Sequence, residues 1–99
     1  MAKKQIIWSE LAKLQFQNVL EFYVIRNGNS NYSLKLLSEV ENLFETLSNT
    51  PLIGRLTSNK ITRVIAMKFY LIFYEINRDR IEILSFWDNR QNIESRKIK

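Results

Sequence analysis

A chain of 99 residues, 45% apolar and 25% charged, with two glycines and one proline, has the size and composition of one globular domain with a real core, not of a disordered or fibrous chain. The absence of cysteine and histidine removes disulfides, thiolate nucleophiles, thiolate-bound zinc and the default general base. The net charge of +5 arises wholly after residue 50: the charges of residues 1–50 cancel, whereas residues 51–99 carry ten basic and five acidic side chains, which favours an acidic or polyanionic partner.

In chain order, Lys4-Gln5-Ile6-Ile7-Trp8 reads as a short strand that stops at Ser9, a good helix N-cap. Ala12, Phe16, Val19 and Tyr23 then recur at helical spacing until Asn27-Gly28, where glycine supplies a left-handed stop. A second helical stripe, Leu36, Leu37, Val40, Leu43, Phe44 and Leu47, ends at Ser48-Asn49-Thr50-Pro51, so the two helices form a hairpin with facing apolar stripes. Beyond Pro51 the period falls to two. Residues 61–67 alternate, residues 69–76 are nearly all aromatic or β-branched, and residues 81–86 alternate again, which predicts a three-strand antiparallel meander whose central strand is apolar on both faces. By this alternation Phe86 shares the face of Leu84, and Trp87 points the other way. The expected class is α+β, a single domain over residues 1–99, with an N-terminal strand and a helical hairpin packed on an antiparallel sheet. The longest apolar run, residues 69–74, is too short to cross a bilayer, and the first residues lack the apolar region of a signal peptide, which places the protein in the cytoplasm.

Gly28 and Gly54 are too far apart for a phosphate-cradling loop, and the acidic residues are scattered singly, so no cofactor and no metal are expected. Catalysis is left to arginine, lysine and tyrosine, which can support metal-free cleavage of RNA through its own 2′-hydroxyl. Arg63 on a strand, Lys60 and Arg55 just before it, and Arg90 after the last strand are candidates to line one edge of the sheet; the structural alternative is a set of solvated arginines on an open sheet face. Most of the aromatics of residues 69–87 read as core. Trp87, at a strand end beside Asp88, Asn89 and Arg90, reads as a half-exposed contact residue.

Several local patterns occur in a telling order: Trp8-Ser9-x-x-Ala12, Leu47-x-x-x-Pro51-x-x-Gly54, Arg63, Tyr70-x-Ile72-x-Tyr74-x-Ile76, and Ile81-x-Ile83-Leu84 leading to Phe86-Trp87-Asp88-Asn89-Arg90-Gln91. Together they resemble the RelE/ParE family of type II toxin–antitoxin toxins. The resemblance implies a growth-inhibiting toxin of the plasmid-stabilisation kind, neutralised by a cognate antitoxin. RelE-like members cut mRNA on the ribosome, whereas ParE-like members inhibit DNA gyrase. On the first reading Arg63 and Arg90 hold the scissile phosphate, and Lys60 or Tyr70 assists proton transfer. On the second, Arg63, Trp87, Arg90 and Arg55 are binding residues. This chain has Leu71 where many ribonuclease members carry an arginine, no tyrosine after Arg90, and no histidine near Asp88, which favours the ParE-like reading. A third expectation is an inactive nucleic-acid-binding domain.

Overall fold

The computed structural model describes residues 3–89. The described elements run β1 (Gln5–Trp8), α1 (Glu10–Asn27), α2 (Asn31–Asn49), a 3-10 turn (Pro51–Ile53), β2 (Arg55–Leu56), β3 (Arg63–Met67), β4 (Tyr70–Ile76) and β5 (Arg80–Asp88). The local signals account for the boundaries. Ser9 accepts from the Ala12 amide at 3.0 Å and caps α1. Gly28 ends α1 at φ 75°, donating its N–H to the Val24 carbonyl. Pro51 follows α2 and opens the 3-10 turn.

The sheet has the order β1-β5-β4-β3-β2, so the apolar strand β4 is central as its composition predicts. Its pairings with β3 and β5 are antiparallel, but β1 pairs with β5 in parallel. The sheet is therefore mixed, not purely antiparallel. The reason lies in chain path: the helical hairpin carries the chain away from β1, and the meander then brings β5, running in the same direction, to its side. A single residue fixes that junction, because the Ser9 amide donates to the Ile83 carbonyl at 2.9 Å and its hydroxyl to the Leu84 carbonyl at 3.0 Å.

Both helices pack on one face of the sheet. Ala12, Phe16, Val19 and Tyr23 from α1 and Leu36, Val40, Phe44 and Leu47 from α2 are buried against Tyr70, Ile72, Tyr74, Ile81, Ile83 and Phe86. Trp8 joins them, stacked on Phe16 at 5.2 Å and tilted against Phe44 at 5.1 Å. Each large side chain so buried contributes about 1.5–3 kcal/mol.

Opposite faces of β5 do not alternate throughout. Tyr74 pairs with Ile83 and Phe73 with Ser85, so a bulge at this point leaves Leu84 and Ser85 between the buried residues Ile83 and Phe86. Leu84 and Phe86 thus do not share a face as simple alternation predicts. Trp87 still lies opposite Phe86, beside Leu71 on the face without helices.

Candidate functional site

The candidate residues separate to two ends of the sheet. Arg63 pairs with Tyr74 at one end of the β3–β4 ladder, while Met67 and Tyr70 pair at the other, and Tyr70 in turn pairs with Asp88. Four residues of strand, about 13 Å, separate the two levels. Arg55 and Lys60 lie with Arg63 at the first end; Tyr70 and Trp87 lie at the second. Arg90 lies outside the described residues.

At the first end the arginine is engaged in holding the fold. Arg63 shares the face of Tyr74, towards the helices, and its Nη1 donates to the Gly54 carbonyl at 2.8 Å. The Tyr74 hydroxyl donates to the Pro51 carbonyl at 2.7 Å and accepts from the Gly54 amide at 2.9 Å. A Cβ on Gly54 would run into the Tyr74 phenol, so only glycine fits. Burial pushes the Tyr74 phenol above its ordinary pKa, opposed by the Gly54 N–H and the Arg63 charge. The expectation of a solvated arginine on the open face is thereby corrected: its acceptor belongs to a loop nine residues earlier, which periodicity does not reveal.

Arg55, paired with Val64, is exposed on an edge strand of two residues. Lys60 is exposed at the tip of the β2–β3 turn with φ 63°. The Thr57 amide closes that turn on the Thr62 carbonyl at 2.8 Å, and Asn59 Oδ1 accepts from the Ile61 and Thr62 amides, each at 2.8 Å.

At the second end Tyr70 is fully buried, with its ring 5.1 Å from Phe86 and its hydroxyl 3.0 Å from that of Tyr32. Burial first, and the Tyr32 hydroxyl second, push its pKa far above the usual tyrosine value. Such a phenol keeps its proton at neutral pH.

The face of the sheet on which no helix packs among the described residues is largely apolar. Leu71, Phe73, Leu84 and Trp87 are half-buried there, with Val64 and Ala66 beside them. Its charges lie towards the first end, where Glu75 and Glu82 face each other across the strands. Glu75 accepts from the Thr62 hydroxyl at 3.2 Å, and Arg80 pairs with Glu82 at 3.4 Å. This surface offers aromatic and aliphatic contact area with Trp87 near one limit, a composition suited to gripping a protein. Sequence reasoning expects a partly exposed Trp87 from its place at a strand end, and its side chain is partly exposed there. The same reasoning missed Leu71, Phe73 and Leu84 as a surface because an apolar run reads as core on both faces.

Among the described residues no group of three or more acidic, cysteine or histidine side chains is placed to hold a metal ion, and no helix is long and apolar enough to cross a membrane.

Comparison with known proteins gives the arrangement a family. A comparison with curated protein sequences finds no match. Among solved structures, the fold is similar to a chain of the chromosomal ParDE TA system from P. aeruginosa, with a TM-score of 0.74 and 16% identity over 87% of this chain and 96% of that one. The model of the family described as the ParE toxin of the type II toxin-antitoxin system, parDE, matches residues 6–93. Nearly the whole chain is covered by that match, and the chain belongs to the ParE toxin family of type II toxin–antitoxin systems.

Proposed function

We propose that this toxin arrests growth by binding its target through the open face of the sheet, in the manner of a DNA gyrase inhibitor, and not by cutting RNA. The observation that carries this reading is what that face is made of. Metal-free cleavage of a phosphodiester needs cations converging on the scissile phosphate and a group able to move a proton. Here Arg63 is committed to the Gly54 carbonyl on the other face, Tyr70 is buried against Tyr32, and Lys60 caps a turn at the far end from Tyr70. The open face presents Leu71, Phe73, Leu84 and Trp87 instead. A half-buried indole in such a patch is the kind of anchor that dominates a protein interface, typically costing about 2 kcal/mol or more when truncated.

The test is a supercoiling assay with purified gyrase. The unmodified toxin is expected to inhibit the reaction, and Trp87→Ala to need at least ~30-fold more protein for the same inhibition while keeping a normal melting curve. Undiminished supercoiling in the presence of a folded toxin that still arrests growth would overturn the proposal.

A further inference from the structure

Helix α1 is apolar on two sides. Ala12, Phe16, Val19 and Tyr23 face the core, yet Leu11, Leu14 and Phe22, 43–55% exposed, and Ile25, 82% exposed, stand on another side. With the exposed Asn18 they form one stripe, because residues three and four apart share a helix face. A monomer seldom shows so much aliphatic and aromatic surface along one helix without using it. The spacing of the stripe is its informative feature. Its intervals are three, four, four and three residues, so it reads the same from either end, with Asn18 at its centre. Turned end for end, the stripe lays Leu11 against Ile25, Leu14 against Phe22 and Asn18 against itself.

We propose that the toxin pairs with a second copy of itself through this stripe, the two α1 helices lying antiparallel about a two-fold axis at Asn18. A two-fold contact needs a surface complementary to itself. A stripe spaced alike in both directions meets that condition, and an arbitrary apolar face does not. Leu14 and Phe22 of opposite copies fill layers about 6 Å on either side of the axis, and Leu11 and Ile25 fill the layers beyond. At the axis each Asn18 amide donates to the oxygen of the other, a polar pair that fixes register as a lone asparagine does in paired helices. Charge permits the approach. The chain carries +5, but within α1 Glu10 and Glu21 balance Lys13 and Arg26, so the pairing helix is neutral. Two copies bury on the order of 1,000 Å² in total through these side chains and their flanks, the lower bound of a specific interface, which corresponds to a Kd of about 10 µM. Because α1 packs on the opposite face of the sheet, the open faces of both copies stay outside the contact.

The symmetry makes the idea testable. Sedimentation velocity of the full-length toxin alone, from about 1 to 500 µM, should show a monomer that gives way to a dimer as concentration rises. Leu11→Glu and Ile25→Lys are the probes. Both positions are exposed, both new residues are good helix formers, and each new charge suits its end of the helix, so the melting curves of dilute samples should match the unmodified chain. Either variant alone should weaken pairing at least ~30-fold, because it sets a charge against an apolar side chain of the other copy. Mixed in equal amounts, the two variants should pair within about threefold of the unmodified toxin. In that mixture the new carboxylate and the new ammonium meet on one side of the axis, while Leu11 and Ile25 meet on the other. A control on another surface, Leu52→Arg, should pair like the unmodified chain. A toxin that stays monomeric over the whole range, or single variants that pair normally, would overturn the proposal. A mixture that pairs no better than its components would overturn it as well, since only the antiparallel register brings residues 11 and 25 together.

Discussion

The two ends of the sheet use their polar groups in opposite ways. At the Tyr74 end Arg63 and Tyr74 turn inwards and close on Gly54 and the Pro51 carbonyl, locking the loop that follows α2, while Arg55 and Lys60 stay exposed. At the Trp87 end the Leu84 carbonyl and Phe86 amide are held by the Ser9 and Gln15 side chains, a cavity lies beside α1, and the indole is partly exposed. The lesson is that a residue matching a family motif can be engaged in holding the fold. Pro51, Gly54, Arg63 and Tyr74 build one structural knot, away from the surface proposed to meet the target.

The comparison is broken most severely at the knot. Tyr74→Ala should destabilise the domain by about 4 kcal/mol, because it opens a cavity in the core and strands the Gly54 amide, and urea unfolding measures it directly. Growth inhibition should vanish with the fold. Arg63→Met should cost about 2 kcal/mol through loss of a charge-assisted bond to the Gly54 carbonyl, yet inhibition of the target should survive when assayed well below the new melting temperature. An Arg63 variant that melts normally but is inactive would reverse the assignment and return Arg63 to the site.

These positions also mark what the sequence made legible. The helix limits could be read because Ser9, Gly28 and Pro51 act on their immediate neighbours, and the central place of β4 because apolarity on both faces demands cover on both sides. The parallel pairing of β1 with β5, the two-residue strand β2 and the bulge after Ile83 depend on which segments meet in space, and no local period encodes that. Of the candidate site, the partial exposure of Trp87 was legible from its strand-end position. The engagement of Arg63 was not, because an alternating arginine looks solvated until its acceptor, a loop carbonyl, is known. Tyr70 was equally opaque: its partner Tyr32 sits 38 residues away in α2.

A smaller effect on stability, and a larger one on activity, is expected at the open end. Trp87→Ala should cost about 1 kcal/mol in unfolding free energy, below a fully buried aromatic, because the side chain is partly exposed. A loss of about 3 kcal/mol or more would place the indole in the core and remove it from the binding surface.

The smallest effect at neutral pH becomes visible in alkali. Tyr70 and Tyr74, one at each end, are buried phenols whose folded pKa values are raised above the ordinary 10.0. The folded state therefore holds protons that the unfolded state releases above about pH 10, so the contribution of these two phenols to stability is constant below that pH and falls as pH rises further. Ionisation of Tyr70 and Tyr74 should appear with unfolding and not before it. Tyr70→Phe and Tyr74→Phe should each flatten part of the decline, which separates the contributions of the two ends.

The central claim, that the family's arginine and tyrosine hold the fold while an apolar face does the work, is tested most directly by single-turnover mRNA cleavage on programmed ribosomes. The account predicts no A-site-dependent cuts from the unmodified toxin, at concentrations that inhibit its target, and therefore nothing for Arg63→Ala to diminish. Cuts from the unmodified toxin that drop by ~10²-fold or more in a folded Arg63→Ala variant would contradict it.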